Sequence, residues 1–271
     1  MGKSQKMNHA PVYYVFAQAR HNPILQLDPF LPEIQDRMRK AGFPDYQASA
    51  IYAVELNFSG GGGQQDTKRL MPKAVARHLF LSADRSKGFI FEQGALSLQT
   101  TEYDTFEPFL EQFMAGFGII HDVINLDYTE RIGIRYLDAV VPAGGPDDLS
   151  RYLIPGVFGL AGKLPEGVPI GMSMSETHIP LTDVDANLVS RTIVRNGPLG
   201  FPIDLEPQGL TVSERFQKVQ GLHAIIDTDA SQAKRQSIDL ADLRSRLDML
   251  HTKIRMAFDA TVTADALAEW Q

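Results

Sequence analysis

Residues 130–137 read Glu130-Arg131-Ile132-Gly133-Ile134-Arg135-Tyr136-Leu137, and this stretch decides the fold. Polar and apolar side chains alternate along it, and β-branched residues are frequent, which predicts a β-strand. Successive side chains of a strand point to opposite faces of its sheet. One predicted face carries Arg131, Gly133 and Arg135, and the other carries Ile132, Ile134 and Tyr136. The apolar face should lie against helices and the arginine face should lie on the open side.

Two long helices are predicted around this strand. The first begins near Asp104, where Asp104 and Glu107 have the spacing of a capping box. The second begins at Asp239. Apolar residues recur in each at helical spacing, so each needs a surface to cover. The stripes are Phe106, Phe109, Leu110, Phe113, Met114, Phe117 and Ile120 in the first, and Leu240, Leu243, Leu247, Leu250, Ile254 and Phe258 in the second.

Strand-like segments complete an α+β chain. They lie at residues 12–17, 47–58, 74–82, 88–99, 169–179, 188–196 and 222–229, with short helices after the first strand and after residue 146. Both halves therefore follow the order strand, helix, several antiparallel strands, long helix. We expect a single domain over residues 1–271. Its curved antiparallel sheet should carry helices on one face, and residues 10–128 and 129–260 should form two pseudo-repeated halves.

Residues 196–221 fit this scheme poorly. Between Asn196 and Gly221 the chain contains three prolines, three glycines and at most a short helix near residues 213–219. Loops of this length inside a compact domain are usually functional or mobile. Two interpretations stay open, a variable excursion and a binding element.

Composition excludes several classes of function. The chain of 271 residues is 44% hydrophobic with a net charge of −7 and no cysteine. Without a cluster of Lys and Arg it lacks the contacts that dominate general nucleic-acid affinity. Without cysteine it has no disulfide, thiolate chemistry or Cys-type metal centre. No secretory signal and no apolar run of roughly 20 residues is present. We expect a cytoplasmic protein with no membrane association.

The strand at residues 130–137 also carries a resemblance. Together with Ala10-Pro11-Val12, Phe80-Leu81-Ser82 and the helix end at residues 258–263, it resembles a sporadically distributed family of uncharacterised bacterial and archaeal proteins of similar length. Its most specific part is the Arg-Ile-Gly-Ile-Arg-Tyr strand. The tetraglycine at residues 60–63 and the long segment after Asn196 depart from the pattern. The resemblance implies a kind of protein and no activity, because the family has no established active site to carry over.

Four strand arginines are the candidate binding residues, namely Arg131, Arg135, Arg191 and Arg195. The first two share a face of one strand, and the last two share a face of another. A guanidinium presents a planar fork that suits carboxylate or phosphate groups. The structural alternative is cross-strand pairing with Glu55, Glu92 or Glu176. Both interpretations stay open.

Other patterns predict no chemistry. The tetraglycine matches neither a Walker A loop nor a dinucleotide fingerprint, so a flexible connector is favoured. The seven histidines are scattered, and Asp227 and Asp229, on one face of a strand, more often line a solvated sheet than bind a metal ion. No catalytic residue, metal site or cofactor is therefore predicted.

The leading functional hypothesis is a non-enzymatic binding or interaction protein. Its open sheet face, or the groove between its halves, would hold a protein partner or a small anionic ligand. The alternative is an enzyme acting on an anionic small molecule, with Arg135 orienting the substrate and a carboxylate such as Asp227 as acid or base. A structural component of a larger assembly is a third hypothesis.

Overall fold

The structure is a computed structural model, and it describes residues 7–53, 73–142, 149–165, 168 and 170–271. The strands in this part are Val12–His21 (β1), Asp45–Ala53 (β2), Lys73–Leu81 (β3), Lys87–Glu92 (β4), Ala95–Thr100 (β5), Tyr128–Val140 (β6), Met172–Leu181 (β7), Ala186–Asn196 (β8), Leu222–Gln232 (β9) and Gln236–Ser237 (β10). The α-helices are Leu31–Lys40 (α1), Phe106–Ile124 (α2), Leu149–Tyr152 (α3), Glu214–Gln217 (α4), Leu240–Thr261 (α5) and Ala264–Trp270 (α6). Two short 3-10 helices cover Pro155–Phe158 and Ala161–Lys163.

All ten strands belong to one sheet, in the order β2-β3-β4-β5-β1-β6-β9-β8-β7, with β10 beside β6. Every pairing between these strands is antiparallel. The predicted α+β class with an antiparallel sheet is confirmed. The strand at residues 130–137 becomes the middle of β6, which pairs with β1 at the centre of the sheet.

The connections on the two sides of the central pair are alike but unequal in length. After β1 and α1, the meander β2 to β5 returns to pair with β1, and after β6 and α3, the strands β7 to β9 return to pair with β6. Four strands stand on one side and three on the other. The three-dimensional equivalence of residues 10–128 and 129–260 stays a prediction.

The long helices α2 and α5, together with α1, cover one face of the sheet. Ile132, Ile134 and Tyr136 belong to the core beneath them, as the alternation of β6 predicts. Phe109, Phe113 and Phe117 of α2 are buried in that same core. Gly116 lets α2 approach β4, because a Cβ atom there would lie 2.2 Å from the Phe89 ring.

The predicted start of α5 is confirmed and the predicted cap of α2 is wrong. Asp239 is the N-cap of α5, and its side chain accepts hydrogen bonds from the backbone amides of Ala241 and Asp242, at 2.8 and 3.0 Å. The N-cap of α2 is Thr105, one residue later than the capping-box spacing requires, and it makes no side-chain cap bond. The docked Phe106 and Phe109 fix this helix start instead.

None of the described helices is long and apolar enough to span a bilayer.

Candidate functional site

The second face of the sheet is only partly open, because residues 197–221 cross it. Leu205 and Phe216 from this segment are buried against Tyr13, Leu137 and Ile225 of the central strands. Phe201 packs on Tyr13 and Tyr14, with ring centroids 5.2 and 5.6 Å apart. The segment is thus a packed cover over one part of the arginine face, and the expectation of a face open throughout is corrected.

Hydrogen bonds fix this cover to the neighbouring strands β1 and β5. The Tyr13 hydroxyl donates to the carbonyl of Gly200 at 2.8 Å. The side-chain amide of Gln99 donates to the carbonyl of Gln208 at 2.7 Å, and its oxygen accepts from the Gln208 amide at 2.9 Å. These bonds satisfy the backbone of a segment that has little secondary structure of its own.

Arg135 lies under the cover and is held between two carboxylates. Its Nε donates to Asp227 Oδ1 at 2.6 Å and its Nη2 to Asp227 Oδ2 at 2.7 Å. From the cover, Asp204 accepts from Nη1 at 2.6 Å and from Nη2 at 3.2 Å. Burial alone would lower the pKa of Arg135, but the hydrogen bonds to Asp227 and Asp204 raise it well above its usual range. The guanidinium group of Arg135 is therefore already hydrogen-bonded to two carboxylates of the protein.

Arg191 extends this network and Arg195 does not. Arg191 Nη1 lies 3.4 Å from Asp227 Oδ2, and its Nε donates to Glu176 across the β7–β8 pair. The predicted pairing with Glu176 is confirmed. Glu92 pairs with Arg77 at 2.8 Å instead of a candidate arginine, and Glu55 lies outside the described residues. Arg195 lies four residues after Arg191 on β8, where its register partner on β9 is His223, and it does not belong to this cluster.

A cavity of about 470 Å³ lies between β6, β1, β5 and the cover. Its wall includes two of the four candidate arginines, Arg131 and Arg135, together with Arg77. The wall also contains four carboxyl groups, those of Glu92, Asp204, Glu206 and Asp229. Gly133 stands between the two arginines. A Cβ atom at Gly133 would lie 3.2 Å from the Ser231 side chain and 3.4 Å from Arg131 Nη1, so the glycine leaves room at the cavity floor.

Arg131 faces a second cation across the strand pair. Its register partner on β1 is Arg20, and both side chains lie on the second face. Neither guanidinium has an ion pair or a hydrogen bond with any residue that the structure describes. Like charges placed directly opposite each other across two antiparallel strands are destabilising. The pair thus forms a small basic patch, in which Arg131 lines the cavity and Arg20 stands beside it outside the lining.

Asp229 adds a carboxyl group without a hydrogen-bond partner among the described residues. It lies opposite Arg135 in the β6–β9 register. Burial raises the pKa of this carboxyl, and the charges of Arg131 and Arg135 oppose the rise. A carboxyl shifted in this direction keeps its proton to a higher pH than an ordinary aspartate does.

The remaining candidates from the sequence give no site. Asp227 and Asp229 share the second face as predicted, but the carboxylate of Asp227 is already hydrogen-bonded to Arg135. The described residues contain no group of three His, Asp or Glu that could hold a metal ion. The tetraglycine lies outside the described residues. Sequence reasoning missed Arg20, because only the strand register places it beside Arg131.

The chain matches no protein-family model. Comparisons with curated proteins and with solved structures give no significant match either. The resemblance based on the Arg131–Arg135 strand therefore stays a prediction.

Proposed function

We propose that this protein binds a small anionic ligand in the cavity on the second sheet face, with Arg131 and Arg20 as its cationic contacts. The observation that carries the proposal is the opposed pair of arginines, without ion pairs to described carboxylates, of which Arg131 lines a cavity of about 470 Å³. An anion that bridges the two guanidinium groups would remove their repulsion and engage their forks.

The dimensions favour a small molecule over a protein partner. Ligand cavities usually enclose about 300 to 1,000 Å³, and a stable protein interface needs roughly 1,000 Å² or more of complementary surface. The cover occupies the part of the face where a flat partner would have to lie. We expect a carboxylate or phosphate beside Arg131, with an uncharged polar group of the ligand near Asp229.

Arg135 takes a different role from the one that its sequence predicted. Asp227 and Asp204 already accept its hydrogen bonds, so a ligand would reach it only by displacing Asp204. In the proposed site Arg135 positions the cavity wall, and Arg131 contacts the ligand.

The test begins with mass spectrometry of small molecules that co-purify with the native protein. Isothermal titration with inorganic phosphate and a panel of small mono- and dicarboxylates would follow. We expect Arg131→Gln to weaken the best probe about tenfold or more, because charge-assisted hydrogen bonds are lost. Arg39→Gln on the exposed end of α1 removes the same charge far from the cavity and should leave binding unchanged. Equal affinity of Arg131→Gln and the unaltered protein would reject the proposal.

A second candidate function is catalysis on such a ligand. The position of Asp229 in the cavity wall favours it, together with the raised pKa of this carboxyl, since burial and neighbouring charges shift the pKa values of acid and base groups at catalytic sites. Asp229 would then transfer the proton, in place of the Asp227 of the original hypothesis, which is locked in its ion pair. Chemical change of a bound probe by the unaltered protein, lost in Asp229→Asn with binding retained, would separate catalysis from binding.

A further inference from the structure

A second cavity lies on the opposite, helix-covered side of the sheet. It encloses about 90 Å³ between β6, α5 and the chain that leads into α2. Its wall is mainly apolar and aromatic, and the residues that matter for its chemistry are Val12, Tyr103, Phe106, Tyr136, Ile254 and Phe258. This site shares no residue with the cavity of the proposed function.

Asp138 of β6 is the ionisable group of this wall. Its residue surface is only 6% exposed, and its carboxyl group has no hydrogen bond or ion pair with any described residue. A buried carboxylate without a partner is costly, and native structures usually satisfy such groups. Among the described residues only the charge of Arg255 acts to offset this cost, and none of them donates a hydrogen bond to the carboxyl group.

The neighbouring polar side chains are committed elsewhere. Arg255, the cation of this wall, forms an ion pair with Asp259, with Nε and Oδ1 2.8 Å apart. The Tyr136 hydroxyl donates to the Tyr103 hydroxyl at 3.0 Å. His251 stacks on Phe106 with ring centroids 3.8 Å apart, and burial lowers the pKa of this imidazole to about 4, so it is neutral at physiological pH.

We propose that this cavity binds a short aliphatic primary amine, whose ammonium group pairs with Asp138 and whose hydrocarbon body packs against Ile254 and Phe258. An ammonium group supplies three donors and the charge that complements a buried carboxylate. The aromatic rings of the wall add favourable contact with a cation. The volume limits the ligand to a few carbon atoms, since an engineered cavity of about 150 Å³ accommodates one benzene molecule.

The ionisation of Asp138 makes the binding dependent on pH. Burial raises the pKa of this carboxyl to about 7, the charge of Arg255 lowers it, and Asp227 on the neighbouring strand raises it further. The other polar groups near it are Tyr103, Tyr136, His251 and Asp104. An aliphatic ammonium stays protonated throughout this range. Its affinity should therefore rise between about pH 6 and pH 8, where Asp138 loses its proton.

The experiment titrates the full chain with isobutylamine and, separately, with isobutanol, which has the same shape without the charge. Chemical-shift changes of the Ile254 methyl groups report occupancy. We expect isobutylamine to bind about tenfold or more tightly than isobutanol at pH 8, and Asp138→Asn to remove this advantage. Asp248→Asn, which alters an exposed carboxyl on α5, is the matched control and should bind like the unaltered protein.

Three results would overturn the inference. They are equal binding of isobutanol and isobutylamine, unchanged affinity in Asp138→Asn, or no shift at Ile254 under saturating probe. The comparison of the two probes on the unaltered chain needs no variant, so it decides the question even if Asp138→Asn folds poorly. Because the ligand site of the proposed function lies on the other sheet face, Arg131→Gln should not change the isobutylamine titration, and either proposal can fail alone.

Discussion

Arg135 and Asp138 lie three residues apart on β6, and their surroundings give the two charges opposite consequences. Arg135 faces the cover and has a carboxylate on each side of its guanidinium. Asp138 faces the helices, and its carboxylate has no hydrogen bond or ion pair with any described residue. A buried charge stabilises a fold only where partners replace the lost hydration. The buried charge of Arg135 therefore stabilises the fold, and the buried charge of Asp138 destabilises it.

Arg135→Lys should destabilise the protein by about 1 to 3 kcal/mol, because a lysine cannot reproduce the two bidentate contacts with Asp227 and Asp204. Urea unfolding monitored by circular dichroism measures the change. Arg37→Lys alters an exposed pair with Glu33 on α1 and should be nearly neutral. Equal stability of Arg135→Lys and the unaltered chain would show that these bidentate contacts add nothing to the free energy of unfolding.

Asp138→Asn should gain stability relative to the unaltered protein as the pH rises. The carboxyl has a pKa of about 7 in the folded chain, against 3.8 for an unperturbed aspartate. Below about pH 4 it is neutral in both states, and above about pH 7 the folded state bears the full cost of its charge, about 4 kcal/mol.

Urea unfolding of both proteins between about pH 4 and pH 8 tests this linkage. The difference between their free energies of unfolding isolates Asp138 from the other titrating groups, and Asp248→Asn, at an exposed position of α5, is the comparison variant. A difference that stays constant with pH would mean that Asp138 does not titrate in this range.

At the scale of elements, the apolar stripe of α2 shows what the spacing of apolar residues predicts about a helix and what it does not. The spacing of its phenylalanines predicted one buried face, and Phe113 and Phe117 are fully buried with their rings 6.3 Å apart. The capping-box pattern at its start was less informative, since Thr105 is the N-cap. Packing of the stripe dominates over the weaker preference of one capping residue.

Phe113→Ala should cost about 3 to 5 kcal/mol, because it leaves a cavity in the main core that close packing cannot refill. Met256→Ala on α5 is the comparison, as this methionine is 49% exposed and should change stability little. Denaturant melts measure both. A loss below about 1 kcal/mol for Phe113→Ala would contradict the core position of the stripe.

At the scale of the whole molecule, one sheet and one main core join the two predicted halves. β1 and β6 pair at the centre along nine register positions. Residues from both sides of this pair, among them Phe113 and Leu247, belong to the same core. The cover crosses the other face and contacts β1 from the first half and β9 from the second. If one half unfolded, the apolar residues of the other half that pack against it would become exposed to water.

We therefore expect the chain to unfold in a single transition. Fluorescence of Trp270, which is buried near the C-terminus against Tyr152 and Phe258, should follow the same denaturant curve as far-ultraviolet circular dichroism. The fragment of residues 10–128 should not fold alone, because it would expose the edge of β1 that pairs with β6. Two separated transitions would indicate that the halves are independent domains.

The sequence by itself determined the strand at residues 130–137, its two faces, the helical stripes and the antiparallel α+β class. These follow from periodicities of two and of about 3.6, which are local properties of the chain. Only the tertiary structure placed Arg20 beside Arg131, laid Asp204 on Arg135 across 69 residues, and left Asp138 buried with no hydrogen bond or ion pair to a described residue. Strand register and the docking of a loop depend on contacts between distant segments. No local pattern encodes them, so the candidate arginines were predictable and their partners were not.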